Sequence, residues 1–163
     1  MRNPFPAEPK HSQCRVITDS REQLPYSLEP LTVESGKLST GDYALAGQFS
    51  GLVCVERKGL QDFISSCTTG RERFDRELQR MQAYPSRAIV VEASWQDIER
   101  GEWRAKATPA AIKASITSFV SRGIPVMLCG NREGGERFTG GLLWRVWIHE
   151  YRRVRQLAAG IEQ

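Results

Sequence analysis

Long apolar runs are missing from this chain of 163 residues, and so are clusters of histidine or cysteine. No stretch approaches the roughly 20 apolar residues that a bilayer-spanning helix needs. Residues 1–13 are polar, carry Pro4, Pro6 and Pro9, and lack the apolar core of a secretory signal. Only two histidines occur, His11 and His149, and neither has a partner at ligand or triad spacing. A Ser/His/Asp or Cys/His nucleophile is therefore not indicated. The four cysteines, Cys14, Cys54, Cys67 and Cys129, lie far apart with no CxxC pair, which speaks against a zinc site. They read as buried thiols in a reducing compartment, so a cytoplasmic, non-secreted protein of a bacterial or phage-infected cell is expected. There is no internal repeat and no low-complexity tract.

What remains is an ordinary globular balance, with 40% hydrophobic and 26% charged residues. The length suits one domain with a real core. Residues 1–13 read as a flexible lead-in and 14–160 as the single folded domain. The net charge of +4 and pI near 9.0 lean towards a polyanionic partner. Arg71, Arg73, Arg76 and Arg80 crowd one segment, and Arg145, Arg152, Arg153 and Arg155 crowd the last. The first group is a candidate phosphate-contacting face.

Periodicity predicts strands at 15–19, 43–46 and 52–58, the last two forming a hairpin across Gly47-Gln48-Phe49-Ser50-Gly51. Residues 24–39 read as loop and short extended pieces. Helices are expected over 60–67 and 71–84, where Phe74, Leu78 and Met81 recur at i, i+4 and i+7 before Pro85. Residues 88–92 form a continuous apolar run suited to a central strand. A short helix follows at 95–100, capped by Ser94 and stopped by Gly101. Thr108-Pro109 opens another helix, with Ile112, Ile116, Phe119 and Val120 as its buried stripe and Gly123 as its end. A buried strand at 124–129, a glycine-rich loop at 130–141 and a final helix at 142–158 complete the order. The loop lacks the Gly-Lys-Ser/Thr ending of a phosphate-binding P-loop. Strands first, then helix and strand in alternation, give an α/β domain with a mixed sheet flanked by helices.

The chemistry concentrates at the hairpin. Val53 to Lys58 is an apolar run ending in an acid and two cations, with Asp62 beyond, and such charges are costly to bury uncompensated. Side chains alternate along a strand, so Glu56 and Lys58 share one face while Val53, Val55 and Arg57 share the other. A hard divalent cation, Mg²⁺ or Mn²⁺, wants oxygen ligands and would relieve the acids. Asp42 and Glu56 are the candidate ligands, with Asp19 reaching the same ion directly or through water. Lys58 would orient a water or meet charge developing on a phosphate, and Arg21 would grip an adjacent phosphate. Glu22 and Asp62 would hold a second metal or orient Lys58, Arg21 or Arg57. This is the general logic of the PD-(D/E)xK nucleases.

Four elements occur in order: Asp19-x-Arg21-Glu22, Gly41-Asp42-Tyr43, Glu56-Arg57-Lys58 and Asp62. Together they resemble the signature of the XPF family of structure-specific endonucleases, over roughly residues 15–148, including more loosely Gly70-Arg71. The resemblance implies a restriction-endonuclease-like core and metal-dependent cleavage of branched or flapped DNA during repair or recombination. It implies that Asp42, Glu56 and Lys58 carry the chemistry, supported by Asp19, Arg21, Glu22, Arg57 and Asp62. It further implies pairing through the last helix, where Trp144, Trp147, Ile148, Tyr151 and Val154 either offer an apolar seam for a homodimer or pack inside the monomer. Two other functions compete. A catalytically silent DNA-binding subunit would position an active partner, but would be expected to lose one of the acids or the lysine. A hydrolase for some smaller substrate would use Asp42 and Glu56 as an acid/base pair, as two carboxylates also suit glycoside chemistry, but leaves Lys58, Arg21 and the basic helix unexplained.

Overall fold

The computed structural model describes residues 8–161. A six-stranded sheet forms the centre, built from β1 (Arg15–Asp19), β2 (Thr32–Gly36), β3 (Tyr43–Leu45), β4 (Val53–Gly59), β5 (Ser86–Glu92) and β6 (Val126–Leu128). The helices are α1 (Leu60–Cys67), α2 (Arg71–Met81), α3 (Trp95–Arg100), α4 (Pro109–Ser121) and α5 (Arg132–Ile161). The strand order is β2-β1-β3-β4-β5-β6, with β3 antiparallel to both its neighbours and the other pairs parallel. The expected hairpin is β3–β4, and its connection turns on Gly47 and Gly51 at φ of 69° and 85°, where a Cβ is disfavoured.

Strand alternation divides the core in two. Tyr43, Val53, Val55 and Val90 pack on one face of the sheet with Leu143 and Trp147 of α5. Cys54, Ile89 and Val91 pack on the other with Phe63 of α1, Phe74 and Leu78 of α2, and Ile116 and Phe119 of α4. The predicted caps are present: Ser94 accepts from Asp97 N, Thr108 accepts from Ala111 N, and Gly101 closes α3 at φ 69°. No helix of the described residues is long and apolar enough to cross a membrane.

Some expectations are corrected. Residues 132–141 are not a loop but the first turns of α5. Gly130, at φ 81°, makes the turn, and Asn131 caps the helix by accepting from Gly134 N at 2.8 Å. The glycines inside the helix answer close contacts: a Cβ on Gly134 would sit 2.0 Å from the carbonyl oxygen of Cys129, and one on Gly135 would sit 2.3 Å from Tyr26 Oη. Val120 is 51% exposed, because a helix carries it about 80° round from Ile112. β6 is a half-buried edge strand rather than a covered one. In the lead-in, His11–Gln13 form a 3₁₀ turn with His11 stacked on Trp144 at 3.9 Å; residues 1–7 lie outside the described residues.

The expected dimer seam is also altered. Trp147, Ile148 and Tyr151 are buried within the chain. Trp144, Trp147 and Tyr151 stack in succession, with Phe49 edge-on to Trp147. An α5 face that covers a sheet consumes its aromatics in the monomer core.

Candidate active site

β1, β4 and β5 all end where antiparallel β3 begins, so chain from four strands converges at one end of the sheet. Thr18, Tyr43 and Val55 form a register row whose tyrosine and valine face α5. The next row, Asp19, Asp42 and Glu56, therefore points to the opposite face. Gly41 makes the entry to β3 at φ 73°, where a Cβ would meet Cys54 Sγ at 2.5 Å and the Val55 carbonyl oxygen at 2.9 Å. Asp42 is then fixed at both ends: its N–H donates to Val55 O and its Oδ2 accepts from Arg57 N, each at 2.8 Å.

Along β4 the parity prediction is met. Lys58 Nζ donates to Glu56 Oε1 at 2.8 Å and lies 4.8 Å from the Phe74 ring centroid. Arg57 goes to the other face, donating to Glu92 and to Glu22. Desolvation pushes the Glu56 carboxyl up, and the Asp42 charge pushes it further, against the Lys58 ammonium. Desolvation likewise raises Asp42, opposed by the Arg57 N–H and reinforced by Glu22. Burial lowers Lys58, but Glu56, Glu77 and Asp42 together outweigh it and leave the amine above its ordinary range. A buried Glu56 whose ionisation is opposed by the half-buried Asp42 charge is a pair that a bound cation would relieve.

An open cleft of about 710 Å³ lies over Asp42 and Glu56, lined also by Asp19, Arg21, Glu22, Arg57, Asp62, Arg73 and Glu77. The ERCC4 domain matches residues 18–142 of the chain. The chain belongs to the ERCC4 domain family. Two solved structures share the fold: XPF from Aeropyrum pernix, at 26% identity and a TM-score of 0.64, over 79% of this chain and 59% of that one. The same protein in complex with DNA matches at 26% and 0.65, over 84% and 66%. The chain thus spans under two thirds of the length of either. Its restriction-endonuclease-like core is the fold of those nuclease domains. No curated protein matches the chain.

Within this ERCC4-family site, not every expected residue is free. The direct route from Asp19 to a metal is closed, because Oδ1 accepts from Arg21 N and Nε, and Oδ2 from Arg21 Nη2 and Leu38 N. The Arg21 guanidinium holds this carboxyl far below the usual carboxylate range. Asp19 fixes Arg21 at the cleft edge, where the side chain remains 69% exposed. Arg71 is spent internally, donating to Asp75 and Ser115 at 3.0 Å and covering Phe119, so it pins α2 to α4 instead of waiting for a phosphate. Arg73 lines the cleft, while Arg76 and Arg80 are exposed on α2 outside its lining.

Among the described residues, no three His, Cys, Asp or Glu side chains are gathered closely enough to hold an ion as they stand. The arrangement fits a hard cation held by Asp42 and Glu56, since such an ion would offset the Asp42 charge that opposes ionisation of Glu56. Sequence reasoning missed three residues here. Glu77 lines the cleft one helical turn after Arg73, a spacing that predicts a shared face. Glu92 and Tyr26 hold Arg57, and an acid closing the apolar run at 88–91 was the available signal for the first.

Proposed function

We propose that the chain is a metal-dependent DNA endonuclease using Mg²⁺ or Mn²⁺ and acting on branched or flapped DNA. The observation that carries this reading is the 2.8 Å Lys58–Glu56 pair, with Glu56 and Asp42 lining one cleft that Arg21 and Arg73 also line. When bound by Asp42 and Glu56, the cation would neutralise phosphate charge and lower the pKa of water. Lys58, immobilised by Glu56, is held to orient a water or to meet charge developing on the phosphate. Arg21, preset by Asp19, offers its remaining Nη1 donors to a neighbouring phosphate, and Arg73, Arg76 and Arg80 extend the basic track along α2. The likeness to an XPF–DNA complex supports the same class of substrate.

The test is incubation with flap, fork and linear duplex DNA in Mg²⁺, Mn²⁺ or EDTA. Metal-dependent nicking that Asp42→Asn abolishes supports the reading, with flap or fork preferred over linear duplex. Binding without cleavage in every metal overturns it in favour of a silent DNA-binding subunit. The reading extends to a homodimer through the outer face of α5, where Leu157 is 57% exposed and Trp144 and Val154 are half-buried. A monomeric mass in sedimentation at micromolar protein would reject that extension.

A further inference from the structure

Arg57 carries a full charge, yet its side chain is only 14% exposed. Its Nε and Nη2 meet the two oxygens of Glu92 at 2.8 and 3.3 Å, a fork on a carboxylate. Its Nη1 donates to Glu22 Oε1 at 3.0 Å and to the Leu24 carbonyl at 3.1 Å. Glu92 also accepts from Tyr26 Oη at 2.8 Å, and the Tyr26 ring lies 5.0 Å from the Arg57 guanidinium. The tyrosine is itself fixed, since its N–H donates to Tyr43 Oη at 2.8 Å. Glu92 pairs in register with Gly59 and shares the sheet face of Val90, the face towards α5. Glu56 and Lys58 occupy the other face.

This arrangement sorts the charges. The Arg57 backbone serves Asp42, while its cation is drawn to the α5 side and matched there by Glu92. Without that match, a mostly buried guanidinium would be left to Glu22 alone, and would offset the acids of the cleft at the expense of an incoming cation. We infer that Glu92, braced by Tyr26, is a positioning residue: it retains the Arg57 cation on the α5 face and so reserves Asp42 and Glu56 for a divalent metal. The inference rests on the reading under Proposed function.

The test uses the full chain and reads Mn²⁺ affinity of the DNA-free protein from the electron paramagnetic resonance of free Mn²⁺, alongside single-turnover cleavage and DNA affinity. Glu92→Gln should weaken Mn²⁺ binding and slow cleavage about tenfold each, the scale for partners that orient metal ligands, while DNA affinity stays near that of the wild type. The double variant Arg57→Gln/Glu92→Gln should bind Mn²⁺ more tightly than Glu92→Gln alone, because the displaced cation is gone. Wild-type Mn²⁺ affinity in Glu92→Gln, or a double variant no tighter than the single, would overturn the assignment. Should Glu92→Gln fail to fold, Tyr26→Phe removes only the bracing hydroxyl and must shift Mn²⁺ affinity in the same direction; no shift overturns the inference. Wild type that binds Mn²⁺ but cuts no DNA defeats the nuclease reading while the Mn²⁺ comparison still decides the positioning role, and wild type that binds no Mn²⁺ defeats the positioning role.

Discussion

Alanine at Gly135 would place a Cβ 2.3 Å from Tyr26 Oη, 3.1 Å from its Cζ and 3.2 Å from Val90 Cγ1. Tyr26 has little room to retreat: it is 3% exposed, stacks on Tyr43 at 5.1 Å and donates to Glu92 at 2.8 Å. Overfilling a packed site costs about 1–3 kcal/mol, and stretching a hydrogen bond to a charged group adds about 1.5–3 kcal/mol. Against this, alanine gains about 1 kcal/mol over glycine inside a helix. The net expectation is a loss of about 1.5–5 kcal/mol. Gly141, six residues along the same helix, is the internal control: it is exposed and nothing lies within 4 Å of its would-be Cβ. Gly141→Ala should therefore raise stability by about 0.5–1 kcal/mol. Urea unfolding of both variants measures the pair, with unchanged m-values confirming that only the native state was altered. Equal stability of the two variants would refute the claim that Tyr26 is what requires glycine at 135.

Lys58→Ala is expected to slow cleavage by about 10²-fold or more, the effect of losing one charge-stabilising donor, with DNA affinity in EDTA nearly unchanged; a parallel loss of binding would move Lys58 from the reaction to substrate capture. Arg76→Ala/Arg80→Ala should weaken DNA binding and flatten the slope of log affinity against log salt by about 2. Arg71→Ala should instead lower the melting temperature and leave that slope alone, since its guanidinium is engaged by Asp75 and Ser115. The pH dependence follows from Asp42 and Glu56, whose folded-state pKa values are raised by burial. A raised carboxyl binds protons more tightly folded than unfolded, so its stabilisation is full below the ordinary carboxylate range and is lost as pH rises through the folded value. In EDTA, the melting temperature of the wild type should fall over that rise more steeply than that of Asp42→Asn, and Mg²⁺ should restore it; superimposable profiles would show that the acids do not strain the fold.

Much of the architecture was written locally. Alternation in Val53 to Lys58 separated Glu56 and Lys58 from Arg57, the paired glycines marked the hairpin, and Thr108-Pro109 and Ser94 set helix starts. The glycines at 134 and 135 misled because their reason is not local: they admit the Cys129 carbonyl and the Tyr26 hydroxyl, partners that only folding brings near.

Sequence by itself determined the strand periods, the order of acids and cations, and the family to which they belong, because these depend on residue type and spacing along one chain. Tertiary structure alone decided which charges remain available. It gave Asp19 to Arg21, Arg71 to Asp75 and Ser115, and Arg57 to Glu92 and Glu22, and it brought Glu77 to the cleft. The physical reason is that a charge is satisfied by whatever lies within hydrogen-bonding distance, and those neighbours are set by strand register and helix packing rather than by proximity along the chain.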